Sequence, residues 1–231
     1  MRGDEASDYE PIDPPRYREE RDYPPGIDWL FWFAVLLTIV IPPANRDTRG
    51  ITGFLARKDE LIVGRADGLH KITGTSASNF TRSGVDGDTG IWAPDSCAVI
   101  HEIGYFHGNP FGIYTVSGSS MTNISNAKVR AWFDTDTYFN RARFDLAIGW
   151  YEPSLNAYAL LLSATGSTDM DRWVFFDIAT QTWWGPHKTA EFTPTGGTTL
   201  RDADDKPIFV LFGSDGKLYK TQTTKTDGSA S

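Results

Sequence analysis

From about Arg49 onward, short apolar runs alternate with polar positions and are broken by Gly, Asp, Asn, Ser and Thr. Alternation with period two, bounded by turn residues, predicts short half-buried or buried strands. Four strand–turn–strand units stand out: Asp59–Ile72 (DELIVGRADGLHKI), Glu102–Val116 (EIGYFHGNPFGIYTV), Asp171–Trp184 (DRWVFFDIATQTWW) and Lys206–Lys220 (KPIFVLFGSDGKLYK). Gly68, Gly112 and Gly216 are the turn glycines of the first, second and fourth units, and the third turns near Ala179 without a glycine. Gly68 and Gly216 are expected either at positive φ or where a side chain would clash. A further hairpin joins Ile148–Tyr151 to Tyr158–Leu162 through Pro153, Ser154 and Asn156. In the third unit Val174, Phe176 and Ile178 alternate with Trp173, Phe175 and Asp177. Both sets are largely apolar, as in a strand covered on both faces.

Strand units recurring at roughly 40–50 residues are the mark of a β-propeller. The expected fold is therefore all-β: a propeller-like domain of about four antiparallel blades over residues 46–223, with a short flexible tail at 224–231. A β-sandwich is the alternative, because any all-β chain reuses tight polar turns.

The first 45 residues have another texture. Residues 1–26 are rich in charge and proline with no apolar period, which predicts an extended or disordered arm. Residues 27–45 hold the run Trp29–Ile41, closed by Pro42 and Pro43. As a helix it would reach about 20 Å against the ~30 Å of a hydrocarbon core. Three readings follow: a buried element of the domain, an anchor docked on another protein, or a short membrane anchor. Its length favours burial or docking, with Trp29, Leu30, Phe33 and Leu37 as the partner-facing residues.

Lys and Arg number 22 against 30 Asp and Glu, a formal charge of −8. This balance excludes a general nucleic-acid binder, which needs a basic face. Cys97 is the only cysteine, so neither an internal disulfide nor a cysteine metal cluster can form, and its apolar flanks predict a buried small residue in a strand.

Several segments together resemble bacteriophage virion proteins of the tail-tube, nozzle and neck type that carry a β-propeller. These are RGITGFLARKDELIVGRADGLHKITGTSASNFT, the linker Gly90–Ser96 with Pro94 and Ser96 in a P-x-S arrangement, Gly112-Ile113-Tyr114, and NAKVRAWFD. The strand RWVFFDIATQTWWGP completes the set, with Phe176, Asp177 and Trp183 in the aromatic, acidic and tryptophan positions. The resemblance spans about residues 47–223. It implies a non-enzymatic virion component, located in the tail or neck, whose partners are other virion proteins in a homo-oligomeric ring. It implies no catalytic residue and no cofactor. The run Trp29–Ile41 departs from the pattern, since further blade strands usually occupy that place. Either the first blades are missing or a neighbouring subunit completes the ring.

Candidate chemistry is sparse. His70, His101, His107 and His187 lack ligand spacing, so no metal site is expected. The acidic clusters Asp86–Asp88, Asp134–Asp136 and Asp202–Asp205 are read as turn initiators. Glu102, Asp145, Glu152 and Asp177 are carboxylates of the type a glycosidase needs, but no spacing selects a pair. Trp173, Trp183 and Trp184 lie in apolar strands and are expected in the core rather than on a sugar. A carbohydrate-binding or glycoside-cleaving propeller at a cell surface is the alternative function.

Overall fold

The structure is a computed structural model, and it describes residues 50–76, 78–86, 88–188 and 192–220. The chain divides at Val40/Ile41, and every described residue belongs to the unit from Ile41 to Ser231. The arm at 1–26, the segment 27–45 with Trp29, Leu30, Phe33 and Leu37, and the tail 224–231 lie outside the described residues.

Four antiparallel sheets follow one another along the chain. The first is β1 (Ile51–Arg57), β2 (Glu60–Arg65), β3 (Gly68–Thr73) and β4 (Thr81–Asp86), paired in that order. The second has β7 (Ile103–Asn109) beside β8 (Gly112–Ser117) and β9 (Ser120–Asn123); the short strands β5 (Gly90–Ile91) and β6 (Ala98–Ile100) both pair with β7. The third is β10 (Ile148–Glu152), β11 (Ala157–Leu162), β12 (Arg172–Asp177) and β13 (Thr182–His187). The fourth is β14 (Pro194–Arg201), β15 (Pro207–Gly213) and β16 (Leu218–Lys220). All five hairpins read from the sequence are present, as β2–β3, β7–β8, β10–β11, β12–β13 and β15–β16. The fold is thus predominantly β, in antiparallel sheets of about four strands.

Apolar residues explain why successive sheets meet. Leu55, Ile62 and Leu69 of the first sheet pack on Ile91, Phe106, Tyr114 and Val116 of the second. Tyr105 and Ile113 of the second pack on Tyr158, Leu160, Val174 and Phe176 of the third, with Phe133, Phe139 and Phe144 from the connection between them. Ala157, Ala159, Leu161 and Phe175 of the third sheet then pack on Leu211 of the fourth. All six side chains of β11 are buried, even-numbered ones toward the second sheet and odd-numbered ones toward the fourth. In β12, Val174 and Phe176 face one way and Phe175 the other, as the alternation predicts.

Polar atoms fix the seam between the second and third sheets. Ser96 is fully buried in the 3-10 turn Pro94–Ser96; its hydroxyl donates to the Ala93 carbonyl (2.7 Å) and accepts from the His107 amide (2.8 Å). Tyr158 Oη donates to the Ser96 carbonyl at 2.7 Å. Burial pushes the Tyr158 phenol well above its ordinary pKa, so it stays a donor. Gly149 makes room for this contact, because a Cβ there would collide with the Ser96 carbonyl and the Tyr158 hydroxyl. Gly90 does the same at the first seam, where a Cβ would strike the Arg65 carbonyl.

Gly216 has φ +79, as expected; Gly68, expected either at positive φ or where a side chain would clash, is not at positive φ, and it opens β3 and pairs with Arg65. Gly112 likewise opens β8, and its constraint is space: a Cβ would lie 2.8 Å from Asn123 Nδ2 and 2.9 Å from Ser125 Oγ. Cys97 lies between the 3-10 turn and β6 rather than in a strand; its side chain packs at the first seam, and burial pushes its thiol up to about 12.

Phe176→Ala should cost about 3–5 kcal/mol by opening a cavity in the central sheet. Phe54→Ala, at a position 45% exposed, should stay within about 0.5 kcal/mol. Gly216→Val should cost on the order of 1–3 kcal/mol through strain alone, since its surroundings are open. Urea midpoints of the three variants check the set.

Candidate functional site

The connection between the second and third sheets, residues 124–147, is far longer than those between the other sheets, residues 87–89 and 188–193. Long loops in compact domains usually carry binding or recognition. This one is built, not slack. It contains the helix Arg130–Asp134 and the 3-10 segment Arg141–Leu146, and Phe139 forms an isolated bridge to Ala164 in the β11–β12 connection. Phe133, Phe139 and Phe144 bury its inner side.

Its outer side forms one wall of a cleft of about 690 Å³, lined by Asp136, Arg141 and Asp145. The second sheet contributes Trp92 and Phe111, and the first contributes Thr52. Trp92 and Phe111 meet edge to face at 5.4 Å and 77°. The Arg141 guanidinium lies 5.0 Å from the Phe111 ring centre, within cation–π reach. Its Nη1 donates to the Asp134 carbonyl at 3.0 Å, while Nε makes no hydrogen bond among the described residues. Asp136 Oδ1 accepts the Arg141 amide at 3.1 Å, which holds the start of the segment in place. Asp145 is exposed. The Thr52 hydroxyl is committed to the Ile91 carbonyl at 2.7 Å.

His107, which packs on Phe111, is fully buried, and neither of its ring nitrogens is hydrogen-bonded among the described residues. Phe144, Phe133 and Phe111 surround it at ring distances of 4.7, 5.8 and 6.1 Å. Burial lowers its pKa to about 3, so the imidazole is neutral.

The other sequence candidates disperse. His101 sits in the β6–β7 turn at φ +50, and His70 lies on β3, its pKa lowered by burial and then by Arg82 and Arg65. No group of metal ligands exists among the described residues. Glu152 accepts from the Ser154 hydroxyl at 2.5 Å, and Asp177 accepts the Ala179 and Thr180 amides at 3.0 and 3.1 Å. Both are buried under their own turns and face no cleft, and Glu102 accepts the Lys58 amide at 3.0 Å. Asp202 accepts the Asp204 and Lys206 amides, as a turn initiator should. Trp173, Trp183 and Trp184 pack against the cores, Trp183 donating to the Ile124 carbonyl at 3.3 Å. Of the residues the sequence singles out, Pro94 of the P-x-S element, Asp136 of a turn-initiating cluster and the carboxylate candidate Asp145 line the cleft, beside Trp92, Phe111 and Arg141, which no motif marks. The one sequence signal for them was the unusual length of polar and aromatic chain between two strand units.

A second surface lies on the last sheet. Register places Leu200, Ile208, Val210, Phe212 and Leu218 on the face turned away from Leu211 and Tyr219, where Val210 is itself buried. Leu200, Phe212 and Leu218 are 43%, 38% and 61% exposed.

No family model matches the chain, and no curated protein matches it. Among solved structures it is similar to the crystal structure of the computationally designed Ika4 protein, at a TM-score of 0.42 and 11% identity, over 78% of this chain and 94% of that one. No helix among the described residues is long and apolar enough to cross a membrane.

The buried imidazole generates a pH prediction. Unfolded, His107 takes up a proton near pH 6.5; folded, it resists one until about pH 3. Its contribution is therefore complete above pH 6.5 and is lost as pH falls through that window, by up to about 1.4 kcal/mol per pH unit. His107→Leu should flatten the acid limb, so its urea midpoint gains on wild type as pH drops below 6.5. Parallel profiles would contradict the buried neutral imidazole.

Proposed function

We propose that this chain is a non-enzymatic structural component of a bacteriophage virion, in the tail, nozzle or neck. In this reading it is a propeller-like β scaffold that assembles with other virion proteins and with copies of itself in a ring. The propeller reading is supported by the order of packing, in which each sheet lays one face on the next in sequence. The virion reading rests on the sequence resemblance.

The observation that carries assembly is the outer face of the last sheet. The third sheet is covered on both faces, whereas the last presents Leu200, Phe212 and Leu218 to water. Apolar residues clustered on one sheet face mark an interaction surface. The occupant proposed is a second copy of the chain, continuing the face-to-face stacking that already joins the four sheets. The segment Trp29–Ile41 is proposed as a further attachment point through Trp29, Leu30, Phe33 and Leu37.

Analytical ultracentrifugation of the full chain tests this. Wild type should form a discrete oligomer, and the combined Leu200→Ser, Phe212→Ser, Leu218→Ser variant should be a monomer with an unchanged β spectrum. A wild-type chain that stays monomeric at high micromolar concentration would sink the self-assembly reading. Leu30→Ser, Phe33→Ser and Leu37→Ser together should prevent incorporation into particles. Wild-type flotation with vesicles that these serines abolish, while incorporation survives, would instead assign the segment to a membrane.

A further inference from the structure

We propose that the cleft between Trp92 and Asp145 is a binding site for a neutral saccharide, a function beyond scaffolding and independent of it. Its volume of about 690 Å³ falls within the ~300–1,000 Å³ of small-molecule sites. Size admits many ligands; the lining narrows them.

Two of the polar groups, Asp136 and Asp145, only accept hydrogen bonds as carboxylates, and Arg141 only donates. A hydroxyl does both. A polyol can therefore satisfy all three groups without bringing a charge of its own. An anionic ligand would gain Arg141 but meet two carboxylates, and a cationic one would gain the carboxylates but meet the guanidinium. The aromatic side of the cleft serves the rest of a sugar. Trp92, set edge to face against Phe111, offers an apolar surface for the C–H face of a pyranose ring.

The site is also prepared before any ligand arrives. Arg141 is held by Phe111 and by the Asp134 carbonyl. Asp136 commits one oxygen to the Arg141 amide and forms no other side-chain bond among the described residues. Asp145 carries a carboxylate with neither hydrogen bond nor ion pair among them. Groups fixed by the fold lose little freedom on binding. The proposal is for binding, with no bond broken.

Saturation-transfer NMR and calorimetry on the full chain test it. The probes are maltotriose, cellotriose, chitotriose and mannotriose, with sialyllactose as the anionic comparator and trilysine as the cationic one. At least one neutral trisaccharide should bind saturably. Trp92→Ala and Asp145→Asn should each weaken it about tenfold or more, the loss of one good contact. Asp145 is exposed and makes no hydrogen bond or ion pair among the described residues, so Asp145→Asn should keep the wild-type urea midpoint and its loss of binding can be read even if Trp92→Ala is unstable. The proposal is overturned if none of the neutral trisaccharides binds, if sialyllactose or trilysine binds in preference, or if Asp145→Asn binds as wild type does. The oligomeric state of Asp145→Asn should be unchanged, so either proposal can fail alone.

Discussion

Strand β11 has no face that water can reach. All six of its side chains, Ala157 to Leu162, are buried, and an antiparallel strand can be dry on both sides only if a layer of protein lies on each. Burying such a side chain contributes on the order of 1.5–3 kcal/mol. The second sheet therefore has to sit on Tyr158, Leu160 and Leu162, and the fourth on Ala157, Ala159 and Leu161. The succession of sheets is a consequence of this strand as much as of the hairpins themselves.

Apolar packing sets which faces meet but not their register, since it has little direction. Direction enters where polar groups are carried into the seam. The Tyr158 hydroxyl reaches the Ser96 carbonyl, and the Ser96 hydroxyl is engaged twice, within its own turn and on β7. A shift of either sheet would leave these groups buried and unpaired, at about 1–3 kcal/mol each. Gly149 lets the backbones approach closely enough for the Tyr158 bond to form. The Pro94-x-Ser96 element is therefore a strut between sheets, whatever its history.

The hairpins were legible because their signals are local: period-two alternation and a polar turn within fifteen residues. β12 could even be read as covered on both faces, since Trp173 to Asp177 offers no polar side. β4 and β14 were missed for the same physical reason. TRSGVD and PTGGTTLR carry little apolar alternation and are strands because β3 and β15 pair with them. Gly68 follows its turn rather than lying within it: Ala66 and Asp67 close the turn and Gly68 opens β3. The cleft was the least legible part. Trp92, Phe111 and Arg141 lie within one 50-residue stretch but on three separate elements, and only the packing of the long connection on the second sheet brings them together.

That connection is fixed to the sheets by its own inner side chains. Its inner residues Phe133, Phe139 and Phe144 belong to the core between the second and third sheets, so it cannot move without opening that core. Burial among three phenylalanines holds the His107 imidazole neutral, so a charge there is disfavoured. The outer residues Asp136, Arg141 and Asp145 inherit that fixity while remaining at the surface. The apolar face of the last sheet lies on elements that share no residue with this cleft, so assembly at one does not require the other to close. Burying sheet faces and displaying loop side chains thus draw on different residues of the same chain.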